Sequence, residues 1–348
     1  MSRPLVVIDA DVLGRQRTGD ETYVTGMLSE LASSELRFAA VTRHPELVPE
    51  GIEPIELQAH SQVLRMSVGL PRLLRRLRPA VAHFQHSLPL ACPSPAVVTV
   101  HDLSFERDSS VMGRRDRLIF RTMVPRSVRR AARVLAVSEL TKRDLIELCD
   151  IPEEKIVVTP NGVDPAFTPE GPKADGEAYA LFVGALQPRK DAPAAIEALA
   201  LLGNGPLRLV VVGQDKGGRA EAERAVERNG LAGRVEFRGH VPQQELAALY
   251  RGATCLVFPS RYEGFGLPMV ESMASGTPVV ATTAGAIPEV AGSAAILVEE
   301  RNPVALAGGI ERAIADRERL VAAGLEWVKR FTWAETARRT LAVYRELV

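Results

Sequence analysis

The sequence predicts an α/β protein of two domains, each with a parallel β-sheet that is covered by helices on both faces. The 348 residues exceed the length of one typical domain. Short, apolar, β-branched runs alternate with helical patterns along the whole chain, which is typical of parallel sheets. A turn-rich segment with seven prolines and glycines, residues 160–176, interrupts this alternation and marks the boundary between the domains.

The first half of the chain contains five predicted strands and four predicted helices. The strands are expected at residues 5–8, 38–42, 80–84, 97–100 and 134–137. Helical patterns lie at residues 21–32, 62–77 and 114–132. A further helix starts at Ser138, whose hydroxyl can cap the first turn.

The second half repeats this alternation. Strands are expected at residues 180–183, 207–212, 235–237, 255–258, 278–281 and 295–298, and helices at 193–202, 220–229, 244–250, near Pro288 and at the end of the chain. Ligands of open α/β sheets bind beyond the carboxyl ends of the strands. The residues that follow each strand are therefore the candidates for function.

The composition is that of a globular protein, with 46% hydrophobic and 25% charged residues. The 43 basic and 43 acidic residues balance, so the overall charge does not indicate a nucleic-acid partner. Residues 65–143 nevertheless contain 16 Lys and Arg against 5 Asp and Glu. We interpret this basic stretch either as solvated helix faces or as a surface for anionic lipid or an anionic acceptor.

The cysteines and the N-terminus indicate a reducing compartment. Cys92, Cys149 and Cys255 form no C-x-x-C pair, so neither a zinc site nor a disulfide framework is expected. The sequence has no signal-peptide core and no run of about 18 apolar residues. We therefore expect a cytoplasmic protein, which would lie peripherally at the inner face of the membrane if the basic stretch binds lipid.

The most informative motif follows an apolar strand and reads PSRYEGFGLPMVE, residues 259–271. Gly264 and Gly266 allow a sharp turn and a close approach of the backbone to a ligand. The free N–H groups of the helix that begins there can bind an anion. Glu263 and Glu271 add carboxylates that can bind sugar and ribose hydroxyls. These features suit a sugar nucleotide, and a turn with two surface glutamates is the alternative.

The run E-G-F-G-L-P-M-V-E, residues 263–271, resembles the signature of retaining GT-B glycosyltransferases, especially family four and its mannosyltransferase-like branch. Similar segments occur at 137–145, 160–164, 182–190, 239–250, 274–281 and 285–290. The resemblance implies two Rossmann-like domains that face each other across a deep cleft. Residues 1–168 would bind the acceptor and residues 172–331 the donor, and helix 332–348 would cross back onto the first domain.

The resemblance also implies a donor site in the second domain. Glu271 would bind the ribose and Glu263 the sugar, while Lys190 would neutralise the leaving diphosphate. Many family members carry Gly-Arg where this chain has Gly184-Ala185, so Arg189 is the expected replacement. A solvated surface pair is the alternative for Arg189 and Lys190. The other expected donor-binding residues are Gly19, Gly184, His240, Val241, Gly264, Phe265, Gly266 and Leu267.

His101 follows a strand of the first half and is expected to point into the cleft. The resemblance places a histidine here beside the donor sugar, and a structural histidine is the alternative. His83 and His86 are expected to shape the acceptor side or to pack. Gly19, in the loop at residues 17–20, resembles the glycine of a phosphate-contacting loop, although the doubled glycine of the family is missing.

Two patterns are given no role in the chemistry. Asp9-Ala10-Asp11 spells D-x-D, the metal–diphosphate motif of another glycosyltransferase fold, but it lies on the first strand, where a structural role is expected. Gly264-Phe265-Gly266 lacks the third glycine of a dinucleotide-binding loop. Neither a metal nor a cofactor is expected besides the donor substrate.

We therefore expect transfer of a hexose from a nucleotide diphosphate, with retention of configuration and without a metal. The catalytic residues would be His101, Glu263, Arg189 and Lys190. GDP-mannose is the first choice of donor and a UDP-sugar the second, and the acceptor is expected to be a saccharide or lipid-linked saccharide. The alternatives are a non-catalytic nucleotide-sugar-binding protein and an epimerase or phosphorylase of the same fold.

Overall fold

The computed structural model describes residues 3–15, 19–107 and 113–348, without the side chains of Arg114 and Asp116. Arg17 and Thr18 of the predicted phosphate loop lie outside the described residues. The chain forms two compact units. The first unit comprises the described residues up to 162 together with residues 332–348, and the second comprises residues 163–331.

A seven-stranded parallel sheet, in the order β3-β2-β1-β4-β5-β6-β7, forms the centre of the first unit. Its strands are β1 (Leu5–Asp9), β2 (Arg37–Thr42), β3 (Glu53–Glu56), β4 (Val81–Gln85), β5 (Ala96–Val100), β6 (Arg133–Ala136) and β7 (Ile156–Val158). The five predicted strands are confirmed, but the sequence does not predict β3 and β7. Both are short edge strands that pair on one side only. Strand β3 contains Pro54 between two glutamates, and β7 has only three residues, Ile156–Val158, just before the turn-rich segment.

Helices cover both faces of this sheet. They are α1 (Gly19–Leu31), α2 (Gln62–Leu64), α3 (Leu70–Leu77), α4 (Ser104–Arg107), α5 (Arg114–Arg130), α6 (Glu139–Cys149) and α14 (Trp333–Leu347). Val6 and Ile8 contribute to one core and Val7 to the other, as the alternation of side chains along a strand requires. Ser138 caps α6 as predicted, because its Oγ accepts a hydrogen bond from the Thr141 amide at 3.0 Å.

Two features of this unit go beyond the predicted pattern of strands and helices. The predicted helix at 62–77 is divided into α2 and α3 by a π turn, Arg65–Gly69. Helix α14 packs into the first unit, where the Tyr344 hydroxyl lies 2.6 Å from Nδ1 of His83. His83 Nε2 lies 2.7 Å from the hydroxyl of Thr99. The sequence leaves two roles open for His83, shaping the acceptor side or packing. His83 is fully buried, so it packs within the first unit.

A six-stranded parallel sheet, in the order β10-β9-β8-β11-β12-β13, forms the centre of the second unit. Its strands are β8 (Tyr179–Val183), β9 (Arg208–Val212), β10 (Val235–Gly239), β11 (Cys255–Phe258), β12 (Val279–Thr282) and β13 (Ile296–Val298). Its helices are α7 (Ala192–Leu201), α8 (Arg219–Arg228), α9 (Gln243–Gly252), α10 (Leu267–Ala274), α11 (Ile287–Ala291), α12 (Pro303–Ala315) and α13 (Arg317–Val328). The predicted strands and helices of this half are confirmed.

The order of the second sheet reverses between β8 and β11. Strands β8, β9 and β10 follow one another to one side, and β11, β12 and β13 follow one another to the other. Strands β8 and β11 are therefore the neighbours at which the strand order reverses. Open parallel sheets bind their ligands at such a reversal, beyond the carboxyl ends of the strands.

Candidate functional site

Two loops leave the second sheet at the reversal point. The loop after β8 contains Gly184 and a single 3-10 turn, Pro188–Lys190. The loop after β11 runs from Pro259 into α10. The two loops touch, since the backbone N–H of Arg261 donates to the carbonyl oxygen of Arg189 at 2.8 Å. The strongest sequence motif and the predicted cations are thus brought together.

Glu263 is the buried centre of this site. Its side chain is 7% exposed. Oε1 accepts a hydrogen bond from Lys190 Nζ at 2.5 Å, and Oε2 accepts one from Arg189 Nη1 at 3.1 Å. Burial opposes ionisation of this carboxyl, but the charges of Lys190 and Arg189, with the hydrogen bond from Lys190, lower the pKa of Glu263. Arg189 and Lys190 are therefore partners of an ionised, buried glutamate and not a solvated surface pair.

Close backbone packing fixes the position of Glu263. The amide of Ala286 donates to the Glu263 carbonyl oxygen at 2.9 Å. A Cβ at Gly285 would lie 2.6 Å from both N and O of Glu263, and Gly285 has a φ of +62°. Only glycine fits this position. The sequence places Gly285 in a family-like segment but does not predict that it supports Glu263.

Lys190 packs between a glycine and an aromatic ring. A Cβ added to Gly184 would lie 3.6 Å from Cδ of Lys190. Its Nζ lies 5.3 Å from the centre of the Phe258 ring, which is within the range of a cation–π interaction. Gly213, which follows β9, supports Gly184, because a Cβ at Gly213 would come within 1.9 Å of the Gly184 carbonyl oxygen. The sequence predicts Gly184 but not the contributions of Phe258 and Gly213.

Glu271 lies on the buried face of α10 and is oriented by Tyr250. The helix begins after Gly266, which has a φ of +99°, and none of the described side chains caps its first turn. Glu271 Oε2 accepts a hydrogen bond from the Tyr250 hydroxyl at 2.9 Å. Burial, together with the negative charge of Glu271, raises the pKa of Tyr250 well above its usual value. The phenol therefore remains a donor, and Tyr250 is a positioning residue that the sequence does not predict.

The other predicted donor-site residues of the second unit lie at strand ends or in the turn before α10. His240 follows β10 and is exposed, while Val241 beside it is buried. The turn before α10 is buried and consists of Gly264, Phe265 and Gly266, followed by Leu267. The ring of Phe265 packs edge-on against Phe331, with 5.5 Å between the ring centres. Since all strands are parallel, these residues share the carboxyl edge of the sheet with Glu263.

In the first unit, His101 follows β5 and contacts a cluster of polar and aromatic side chains. Its Nε2 lies 2.9 Å from Oε1 of Gln85. Its ring centre lies 4.9 Å from that of Tyr23 and 5.1 Å from that of His86. Burial, with a contribution from the charge of His86, lowers the pKa of His101 to about 4. The imidazole is therefore neutral near pH 7, where it can orient a hydroxyl group.

The first turn of α1 adds an acidic group to this cluster. Burial opposes ionisation of Asp20, but attraction to His101 and His86 lowers the pKa of Asp20. Gly19 is the first residue of α1, and a Cβ there would meet no described atom within 4 Å. The packing of the described residues therefore does not require glycine at this position, and a contact of Gly19 with the donor stays a prediction.

Two family models match consecutive parts of the chain. "Glycosyltransferase Family 4" matches residues 18–167, and "Glycosyl transferases group 1" matches residues 164–326. The chain belongs to the family 4 glycosyltransferases. Both matches meet at the turn-rich segment that the sequence predicts as a boundary.

This glycosyltransferase is similar to O-antigen chain mannosyltransferase B of Escherichia coli, with 29% identity over 271 residues. The alignment covers 72% of this chain and 70% of that protein. Sucrose-phosphate synthase from Thermosynechococcus elongatus has a similar structure, with a TM-score of 0.83, 22% identity and 99% of each chain covered. HepE from Anabaena, in complex with UDP and glucose, has a TM-score of 0.77 at 16% identity, over 99% of this chain and 100% of that one. The glycosyltransferase therefore has the GT-B fold with two Rossmann-like units.

Arginine side chains bind both carboxylates of the D-x-D pattern in the glycosyltransferase. Asp9 accepts hydrogen bonds from the two Nη atoms of the buried Arg65, at 3.0 and 2.5 Å. Asp11 accepts hydrogen bonds from Arg43 at 2.8 and 2.9 Å. These contacts give both carboxylates the structural role that the sequence predicts. Within residues 3–15, 19–107 and 113–348, no group of three or more His, Cys, Asp or Glu side chains has the arrangement of a metal site.

The cysteines of the glycosyltransferase are free thiols. Burial raises the pKa of Cys149 to about 11 and that of Cys255 to about 12, so both are poor nucleophiles. In the part of the chain that the structure describes, no helix has the length and apolar composition needed to span a membrane.

Proposed function

We propose that this glycosyltransferase moves a hexose from a nucleotide diphosphate to a saccharide or lipid-linked saccharide, with retention of configuration and without a metal ion. The contact of Glu263 with both Lys190 and Arg189 supports this proposal most strongly. A carboxylate that can bind sugar hydroxyls lies beside two cations that can neutralise a leaving diphosphate. All three residues lie at the point of the second sheet where a ligand is expected.

Lys190 and Arg189 act on the charge that develops as the glycosidic bond breaks. Departure of a nucleotide diphosphate leaves negative charge, which fixed cations in a buried site stabilise more than solvent would. Binding of the diphosphate gives these cations a new partner in place of Glu263. The Glu263 carboxylate is then available to the hydroxyls of the donor sugar.

Glu271 and His101 have separate roles in this proposal. Glu271, which is oriented by Tyr250, binds the ribose hydroxyls and so contributes equally to the affinity for donor and for free nucleotide. His101 is neutral near pH 7 because of its lowered pKa. Its imidazole orients a hydroxyl of the reacting sugar without adding a charge.

GDP-mannose is the first choice of donor, because the Escherichia coli relative is named a mannosyltransferase. A UDP-sugar is the second choice, because HepE was solved in complex with UDP and glucose. The cytoplasmic location and the peripheral contact with an anionic membrane that the sequence suggests remain proposals.

A thermal-shift panel of UDP, GDP, ADP and their sugar conjugates tests this function. A ligand at 100 times its dissociation constant stabilises the folded state by about 2.7 kcal/mol, so one nucleotide series should raise Tm. Glu271→Ala should abolish that shift, whereas Glu311→Ala, at an exposed position of α12, should retain it. The proposal fails if no nucleotide raises Tm, or if the stabilising conjugate transfers no sugar to any saccharide or lipid-linked acceptor supplied.

A further inference from the structure

Helix α5 of the first unit exposes large apolar side chains to solvent. Leu118 is 65% exposed, Ile119 46% and Met123 36%. The opposite side of the helix is buried through Val124 and Val128. Ile119 and Met123 are four residues apart and therefore neighbours on the helix surface. Leu118 precedes Ile119 by one residue, about 100° around the helix, so the three side chains occupy one broad, solvent-exposed side of α5. Single exposed apolar side chains are ordinary, but a group of them on one face indicates a binding surface.

Arginines lie on the same face of α5. Arg115, Arg126 and Arg130 are exposed and are separated from Ile119 by four, seven and eleven residues, which keeps them on its side of the helix. Residues 114–130 contain seven arginines and one acidic residue, Asp116. Arg121 pairs with Glu106 at 3.0 Å, but no ion pair within the described parts of the chain includes Arg115, Arg126 or Arg130.

A neighbouring loop extends this surface. Arg130 Nη1 donates to the carbonyl oxygen of Leu90 at 3.3 Å, and the side chain of Leu90 is 62% exposed. The Leu90 amide in turn donates to the carbonyl oxygen of Met66 at 2.9 Å. We call the face formed by Arg115, Leu118, Ile119, Met123, Arg126, Arg130 and Leu90 the α5 surface. It combines apolar side chains and cations from two separate segments of the chain.

We propose that the α5 surface docks onto an anionic lipid bilayer. An interfacial helix buries its apolar face among acyl chains while its Arg and Lys side chains bind anionic head groups, and the α5 surface supplies both groups together. A second copy of the chain is a poor occupant, because a symmetric contact would place the arginines against one another. A hydrophilic polyanion would pair with the arginines but leave Leu118 and Ile119 in water.

Flotation with vesicles of phosphatidylcholine containing phosphatidylglycerol tests this proposal on the full chain. At low salt the wild type should float with these vesicles but not with pure phosphatidylcholine, and salt should weaken binding. Leu118→Ser with Ile119→Ser should lower the partition coefficient by roughly tenfold or more. Arg115→Ser with Arg126→Ser should lower it by roughly tenfold.

The matched control is Leu201→Ser with Ile314→Ser. Both control residues lie in the second unit and are exposed to a similar degree, 56% and 48%. Vesicle binding of this control should equal that of the wild type, and unchanged thermal unfolding of each variant excludes misfolding. The proposal is overturned if wild type does not float with anionic vesicles, or if the control weakens binding as much as the Leu118 and Ile119 pair. It is also overturned if the Leu118→Ser and Ile119→Ser substitutions leave vesicle binding unchanged and alter only the molar mass measured by light scattering. That result would identify a second copy of the chain as the occupant. Donor is absent from the assay, so its outcome is independent of the proposed transfer reaction.

Discussion

The Nζ of Lys190 lies 2.5 Å from Oε1 of Glu263, although 73 residues separate them in the sequence. Arg189 contacts the other oxygen of the same carboxylate at 3.1 Å. The cations proposed to receive the leaving diphosphate are thus paired with the carboxylate proposed to bind the sugar. In the proposed function donor binding exchanges these partners, so mutation of each side chain should separate the three roles.

Replacement of either cation should reduce turnover more than nucleotide affinity. A charge-assisted contact contributes about 1.5–3 kcal/mol, so Arg189→Ala should lower turnover at saturating donor by roughly ten- to 100-fold. Lys190→Ala should behave similarly, and the double variant should be less than additive because both residues serve one leaving group. Arg228→Ala, at an exposed position paired with Glu197 at 3.8 Å, should have little effect.

Arginine at position 185 should partly rescue the Arg189→Ala variant, because Ala185 stands where the family resemblance implies a phosphate-binding arginine. The measurement is turnover of Arg189→Ala with and without Ala185→Arg. If Arg189→Ala matches the wild type while Lys190→Ala is inactive, Arg189 has no part in the reaction and the idea of replacement is wrong.

Tyr250→Phe should weaken nucleotide binding without affecting the chemical step. The variant removes the hydroxyl that donates to Glu271, so affinity for the donor and for the free nucleotide should fall alike, by roughly tenfold. Turnover at saturating donor should stay close to that of the wild type. Calorimetric titration with the nucleotide provides the measurement.

Tyr179→Phe is the matched control for that variant. It also removes a buried hydroxyl of the second unit, one that donates to the carbonyl oxygen of Leu249 at 2.7 Å. Both variants should lose stability, but only Tyr250→Phe should lose nucleotide affinity. Equal affinity losses would mean that Tyr250 acts through the fold and not through Glu271.

His101→Ala should remove sugar transfer and leave the fold and nucleotide affinity nearly intact. The prediction rests on the position of His101 after β5 and on its contacts with Gln85 and Tyr23. The assay compares transfer rate, nucleotide affinity and thermal unfolding with those of His44→Ala, an exposed histidine of the same unit. A transfer rate within a fewfold of the wild type would refute the catalytic role.

The first unit should lose stability as the pH falls below 6.5. Burial lowers the pKa of His83 to about 3 and that of His101 to about 4, from an ordinary value of 6.5. Between these values only the unfolded chain binds the protons, so each histidine lowers the free energy of unfolding by at most about 1.4 kcal/mol per pH unit. Urea unfolding at pH 7.5 and 5, followed through Trp333 in a Trp327→Phe background, measures this loss.

His83→Gln separates the contribution of this histidine from the general effect of acid. The variant should be less stable than the wild type at pH 7.5, because two buried hydrogen bonds change, but its stability should depend less on pH. If its free energy of unfolding falls as steeply between pH 7.5 and 5 as that of the wild type, His83 is not the group that titrates.

Much of the fold and of the site follows from local sequence. Central strands such as β5 and β11 appear as apolar runs, and the residues that follow them, His101 and Glu263, are candidates because parallel sheets expose their carboxyl ends to ligands. Edge strand β3 is missed because it pairs on one side and therefore tolerates Pro54 and flanking charges.

Contacts between distant segments could not be predicted in the same way. The hydrogen bond from Tyr250 to Glu271, the packing of Gly213 on Gly184 and the support of Glu263 by Gly285 depend on how separate strands and helices come together. A sequence shows which residue types are present at these positions, but not which atoms meet. The pairing of Glu263 with the two cations belongs to this class, although all three residues are predicted separately.

The central claim is that Glu263 serves the sugar while Glu271 serves the nucleotide. The most direct test measures the dissociation constant of the free nucleotide diphosphate and the turnover at saturating donor for Glu263→Gln and Glu271→Gln. Glu271→Gln should weaken nucleotide binding by roughly tenfold or more. Glu263→Gln should leave nucleotide binding unchanged or tighter, because Lys190 and Arg189 lose their competing partner, and should lower turnover by roughly 100-fold. Equal losses of nucleotide affinity in the two variants would contradict this division of roles.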